Sequence, residues 1–444
     1  MFAPLKEPLL YNNIDLKTLA FRARAVLKLN DLGDSTKPSP TLYPHQWNWD
    51  SAFIAIGLSH SNTSRAQAEI KSLLLAQWDS GMVPHIVFNA EAVNYHPGPE
   101  YWGTHIPGPP DSIRTSGITQ PPVLAQAALT VYENSAKADT DLAFLSDIYP
   151  GLLMEANFLY SDRDPLHEGL SFICHPWESG MDNSPCWDIP LHNFKMDFQP
   201  AFMRKDKKDI PANQRPSDEE YSRYSYLVQA YAMQDWKQSN IFDLDLFRVQ
   251  SVLFNVLQLK SMQALARIEK LIQMPTEITQ HRIEQTIAAF QDKLWDTKSK
   301  RYLDYDLGSN ALIETDNISQ FLPLFAGISN AEEAEALISK LQSPEYWQEN
   351  GWGISTQSRS SSEFDLECYW RGPVWINTNW MIIQGLEKYH HPDLAKRLAH
   401  ETLDLVNEFG FFEYFNPDTG QGLGSDNFSW TAALVLDLIG AGYR

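Results

Sequence analysis

Two acidic side chains sit in settings that suit chemistry better than packing. Asp182 lies in HPWESGMDNSPCWD (175–188), which holds three carboxylates, two tryptophans, a glycine and two prolines. Glu413 lies in FGFFEYFNPDTGQGLGSDNFSW (409–430), a run rich in aromatic rings and glycine. Neither stretch carries the period of a helix or a strand. Hydrolysis of a glycosidic bond requires a pair of carboxyls flanking the scissile bond. One must be protonated at working pH to give its proton to the leaving oxygen. Burial against aromatic surface raises a carboxyl pKa and keeps that proton on. The other must be ionised, either to activate water or to attack. Aromatic faces nearby would stack on a sugar ring.

Other loop motifs supply candidate contacts. YPHQWNWDSAF (43–53) places Trp47, Trp49 and Asp50 just before a helix, and GMVPHIVF (81–88) carries His85. TSGITQPPV (115–123) sets Gln120 at a helix start, and QRPSDEEYSRY (214–224) puts Arg215 before a helix and Tyr221 in its first turns. ECYWRGPVW (367–375) is aromatic and basic. Each motif has a plainer reading. Asp50 and Asp218 fit helix caps, His85 fits a hydrogen-bonded buried histidine, and Arg371 fits a structural ion pair. The histidines show no HExxH spacing, and DYDLGSN (304–310) lacks the spaced ligands and final Glu of a calcium loop. No metal or cofactor site is expected.

The elements that must position these residues are helices. Apolar residues recur with helical spacing over 15–29, 51–60, 63–78, 122–135, 141–161, 218–236, 243–270, 278–295, 315–327, 330–342, 374–389, 391–409 and 428–441. Asp15 reads as an N-cap. Alternation replaces that period at WDTKSKRYLDYD (295–306), which predicts a hairpin. Long loops at 35–49, 80–120, 163–217, 343–373 and 410–427 are too long to be idle in a compact domain. The simplest reading is one all-α domain over 1–444, with insertions near 80–120 and 163–217. About a dozen helices in six hairpins make an (α/α)6 barrel, its long loops gathered at one rim as a cap over the site. The loops 80–120 and 189–215 are expected to form a lid.

Composition narrows the partners. The chain has 444 residues, 43% hydrophobic and 20% charged, with ample material for a core. A formal net charge of -21 opposes nucleic acid and anionic membrane as partners. A local Arg can still hold a small anion against that field. The three cysteines form no CxxC pair and read as free thiols in a reducing cytosol, with a Cys174–Cys186 disulfide as the alternative. MFAPLKEPLLYNN lacks the basic segment and apolar run of a secretory signal, and no apolar run reaches about 18 residues. A cytoplasmic location is expected, and a homo-oligomer is compatible with these features. Fourteen tryptophans favour a sugar site, though weakly by themselves.

In order between about residues 40 and 435, YPHQWNWDSAF, GMVPHIVF, TSGITQPPV, HPWESGMDNSP, QRPSDEEYSRY, CYWRGPVW and GSDNFSWTAA together resemble glycoside hydrolase family 63. Within it they look like the bacterial mannosylglycerate and glucosylglycerate hydrolases. The resemblance implies an (α/α)6 barrel and an inverting α-glycosidase without cofactor, acting on 2-O-α-glucosyl- or mannosyl-glycerate. It implies Asp182 as general acid and Glu413 as general base. Trp177, Gly180 and Trp187 would shape the acid's pocket. Tyr43, Trp47, Trp49, Asp50 and Gln120 would line the subsite for the non-reducing sugar, with Trp375 as a stacking wall. Arg215 and Tyr221 would hold the glycerate carboxylate, which suits the planar fork of an arginine. Tyr369 and Trp370 would border that subsite. One place departs from the glucosylglycerate pattern. A Gln precedes the final Ser-Trp-Thr-Ala-Ala there, whereas Asn427 and Phe428 stand here. Two rival readings are an α-glucosidase of the same family acting on a neutral di- or oligosaccharide, and a sugar-binding protein without catalysis.

Overall fold

The computed structural model describes residues 15–92, 95–106, 113–135, 138–200, 204 and 210–443. The segments 93–94, 107–112, 201–203 and 205–209, within the two expected insertions, lie outside the described residues. The helices are α1 (Leu16–Leu29), α2 (Asn48–Ser59), α3 (Thr63–Leu75), α4 (Pro99–Trp102), α5 (Leu124–Glu133), α6 (Ala138–Ser161), α7 (Asp188–Asn193) and α8 (Asp218–Ala232). They continue with α9 (Gln238–Asp243), α10 (Val252–Leu271), α11 (Glu277–Ala289), α12 (Pro323–Ala326), α13 (Ala331–Leu341), α14 (Ile376–Lys388), α15 (Pro392–Phe409) and α16 (Ser429–Gly440).

Six of these close a ring. α2 packs on α5, α5 on α10, α10 on α12, α12 on α14, α14 on α16, and α16 on α2. α1, α3, α6, α11, α13 and α15 alternate with them along the chain and form the outer layer. The two layers differ in sequence as their surroundings require. In α16, SWTAALVLDLIG is apolar almost all round and nearly every residue is buried. α15 is amphipathic: Ala395, Leu398, Ala399, Thr402, Leu403 and Val406 face inward at spacings of three and four residues. The result is an (α/α)6 barrel.

Several elements differ from their sequence-based expectation for local reasons. The helix expected at 315–327 is a 3-10 turn (Ile318–Phe321) and the single turn of α12, because Pro323 has no N–H to carry the preceding turn into α12. The helix expected from 243 starts at Val252. Before it, Val249–Gln250 pairs with Tyr305–Asp306, and the Ser251 side chain caps α10 by accepting from Phe254 N–H. The hairpin at 295–306 forms between Trp295–Asp296 and Arg301–Tyr302. Ser217, not Asp218, caps α8, in a reciprocal box with Glu220. Arg371 does make a structural ion pair, bonding Asp188 through both terminal nitrogens. All three cysteines are free thiols.

Candidate active site

The loop carrying Asp182 is braced by hydrogen bonds to its own backbone. His175 Nδ1 accepts from Trp177 N–H at 3.0 Å and caps a 3-10 turn at Pro176–Ser179. Gly180 follows at φ +75°, where a Cβ would lie 2.4 Å from the Trp49 ring. Beneath the loop, Arg163 donates through both terminal nitrogens to Glu178, at 2.5 and 2.6 Å, with both side chains fully buried. Glu178 also accepts from Thr119 N–H at 3.0 Å and Cys174 N–H at 2.8 Å. One carboxylate thus ties the acid loop to the segment carrying Gln120. Tyr224 Oη donates to Asp182 O at 2.7 Å. The Asp182 carboxyl faces the cavity, and burial pushes its pKa up to about 7. The nearby Arg215 opposes that rise, and the charge of Glu413 adds to it.

Trp187 does not line the cavity. It is fully buried, packs edge-on against Phe247, and donates Nε1–H to Met181 O at 2.7 Å. Its flat ring fills space beneath the loop and its one donor is spent on the loop backbone, so it acts from behind.

Glu413 begins the hairpin Tyr414–Phe415/Gly422–Leu423. That hairpin is bonded to Val374 through both Val374 N–H and Phe415 N–H. The Glu413 side chain is 1% exposed and accepts four hydrogen bonds. Oε1 accepts from Tyr43 Oη at 2.7 Å and Tyr369 Oη at 2.9 Å. Oε2 accepts from Arg215 Nη2 at 3.1 Å and Ser425 N–H at 3.0 Å. Arg215 also donates Nη1–H to Tyr43 Oη at 2.8 Å. Its guanidinium therefore sits on the Glu413 carboxylate, with Nε left without a partner.

Both carboxyls face one cavity of about 280 Å³. Tyr43, Trp47, Trp49, Asp50, Gln120, Trp177, Gly180, Arg215, Tyr221, Tyr369, Trp370 and Trp375 all line it. The N-terminal ends of α2, α14 and α16 meet there, bringing in Trp49, Trp375 and Trp430. Gln120 Oε1 accepts Trp49 N–H at 3.2 Å. Asp50 lies in the first turn of α2 and does not cap it. Burial holds its pKa well above the carboxylate range, and the charges of Glu413 and Asp182 push the same way. Trp375 is no free stacking face. Trp370 lies parallel to it at 3.9 Å and Tyr414 near-parallel at 4.9 Å, so both sides of its ring are covered. Among the described residues, no group of three or more His, Cys, Asp or Glu is arranged to hold a metal.

The model of the mannosylglycerate hydrolase MGH1-like glycoside hydrolase domain matches residues 43–431. The chain belongs to that family of glycoside hydrolases. A mannosylglycerate hydrolase of Rubrobacter radiotolerans is 39% identical over 430 residues, covering 96% of this chain and 97% of that protein. A glucosylglycerate hydrolase of Mycolicibacterium hassiacum is 35% identical over 436 residues, covering 95% and 98%. The crystal structure of a GH63 mannosylglycerate hydrolase from Thermus thermophilus, in complex with Tris and D-glycerate, superposes with a TM-score of 0.89. It is 38% identical, covering 94% of this chain and 99% of that one.

The hydrolase cavity has further walls in His85 and Phe428, and in Tyr95, His96 and Trp430, to which the sequence reading gave no role. Trp430 had a readable signal: like Trp49, it is an aromatic residue in the first turn of an apolar helix. His85 is buried as expected but lacks the expected bond, for its Nδ1 has no partner. It stacks on Trp177 at 6.2 Å, and burial drives its pKa well down, so the ring is neutral. Asn427 turns away with φ +48°, its amide on Asp426, and leaves Phe428 as the wall.

Proposed function

We propose that this hydrolase cleaves 2-O-α-glucosyl- or 2-O-α-mannosyl-glycerate to free sugar and glycerate by single displacement with inversion. Glu413 deprotonates water on one face of the anomeric carbon while Asp182 protonates the glycosidic oxygen on the other. Trp47, Trp49, Trp177, Asp50 and Gln120 hold the sugar, and Arg215 and Tyr221 take the glycerate carboxylate. Tyr369 and Trp370 border the aglycone.

One observation carries this reading. Two carboxyls distant in sequence face the same aromatic cavity in unlike settings: burial pushes Asp182 up to about 7, whereas Glu413 accepts four hydrogen bonds. The names of the relatives supply the aglycone and leave the sugar as glucose or mannose. The family match runs through residues 43–431, which supports a single catalytic domain. Three free thiols fit a reducing compartment, and we place the enzyme in the cytoplasm. Among the described residues no helix is long and apolar enough to cross a membrane.

The test is a substrate panel of glucosylglycerate, mannosylglycerate and neutral α-glucosides, followed by released sugar and by NMR of the first anomer formed. Turnover of one glycosylglycerate with the β-anomer appearing first is expected. Preference for a neutral α-glucoside transfers the assignment to that rival, which the apolar Phe428 wall favours. A retained α-anomer removes the single-displacement mechanism.

A further inference from the structure

The Glu413 carboxylate has no lone pair to spare. A carboxylate offers about four acceptor sites, and Tyr43, Tyr369, Arg215 and Ser425 fill them two to each oxygen. A base that must bind and deprotonate water needs one of them free. Three donors are fixed in place. Ser425 N–H is backbone beside the hairpin end, and Glu413 N–H donates back to Ser425 O at 2.9 Å. Tyr43 is braced edge-on by Trp47 and Phe428, and Tyr369 by Trp375 and Tyr414. The fourth donor is different. Arg215 is buried, with Nη1 on Tyr43 Oη at 2.8 Å and its guanidinium 4.6 Å from the Tyr369 ring, but it is a long side chain at the end of a short 3-10 turn, and its Nε has no partner. It is also the one donor with a full charge to offer elsewhere.

We propose that an anionic aglycone draws Arg215 off Glu413, and that the Oε2 site so vacated receives the attacking water. The inference rests on the glycerate reading above. A carboxylate entering beside Arg215 offers two oxygens to the guanidinium fork in place of one, so the exchange is favourable. A neutral aglycone offers no such exchange and leaves the base occupied. Arg215 then selects substrates through turnover as well as through binding.

The α-fluoride of the preferred sugar separates the two halves of the substrate. It fills the sugar subsite and carries no aglycone. In its hydrolysis the water oxygen bonds to the anomeric carbon and the water proton passes to Glu413. The C–F electron pair leaves as fluoride. Added D-glycerate should raise this rate saturably, by roughly 10- to 100-fold, the weight of one charge-assisted hydrogen bond. Glycerol, the neutral counterpart, should not. In Arg215→Gln the response to glycerate should vanish and the unassisted fluoride rate should exceed that of the wild type. Equal or slower wild-type hydrolysis with glycerate, compared with glycerol, overturns the proposal without any variant. Failure of the glycerate reading itself shows separately, as absent turnover of glycosylglycerates in the panel.

Discussion

Gly424 and the Glu413 carboxylate occupy adjoining space: a Cβ placed on Gly424 would lie 2.4 Å from Glu413 Oε2. Gly424 also has φ +68°, where an L side chain is strained. Gly424→Ala must therefore move the hairpin end or Glu413. It should fold, losing about 1–2 kcal/mol in urea denaturation, while kcat falls at least about tenfold. Unchanged kcat would mean that the position of Glu413 is not the constraint this packing implies.

Glu178 anchors the acid loop from below. Deleting one member of a buried ion pair leaves the other charge stranded, at a cost of about 3–5 kcal/mol. Glu178→Ala also orphans Thr119 N–H and Cys174 N–H. A marked drop in the urea midpoint is expected, with loss of activity at temperatures where the variant remains folded. Near-native stability would show that Arg163 finds another partner.

These two residues also show what the sequence could and could not disclose. The motifs around Asp182 and Glu413 pointed to a shared cavity, because irregular, aromatic, glycine-containing loops have few uses other than a site. Helical period located most barrel helices within a few residues but began α10 at 243 instead of Val252. It failed at 315–327, where Pro323 interrupts a pattern that apolar spacing alone reads as continuous. Ring type did not reveal ring orientation. Trp187 and Trp375 are aromatic residues in site motifs, yet one lies behind the loop and the other has both faces covered. That Arg215 rests on the base was also hidden, since no spacing rule relates positions 215 and 413.

Trp187 supports the loop by one bond that a conservative substitution removes. In Trp187→Phe the ring remains in the core and Met181 O loses its donor. The expected cost is about 1–3 kcal/mol. As the loop backbone carries Asp182, kcat should fall while KM stays near the wild-type value. A change confined to KM would place Trp187 in contact with substrate, against its buried position.

Asp182 makes activity and stability depend on pH in the same direction. Burial lifts its pKa to about 7, with Glu413 adding to the rise and Arg215 opposing it. As the proposed general acid, Asp182 must be protonated to act, so kcat/KM should decline as pH climbs through about 7. Asp182→Asn should lower kcat by about 10²–10⁴-fold and abolish that decline in whatever activity remains. For stability, the folded pKa lies above the ordinary value of 3.8. The folded state therefore holds this proton more tightly than the unfolded state. Its contribution is complete below about pH 4 and is lost as pH rises through about 7. Asn carries no such penalty. Asp182→Asn should thus melt above the wild type at about pH 8, with the gap closing toward pH 4. A gap that widens on acidification would show that Asp182 is stabilised as the anion and would return the search for the acid to Asp50.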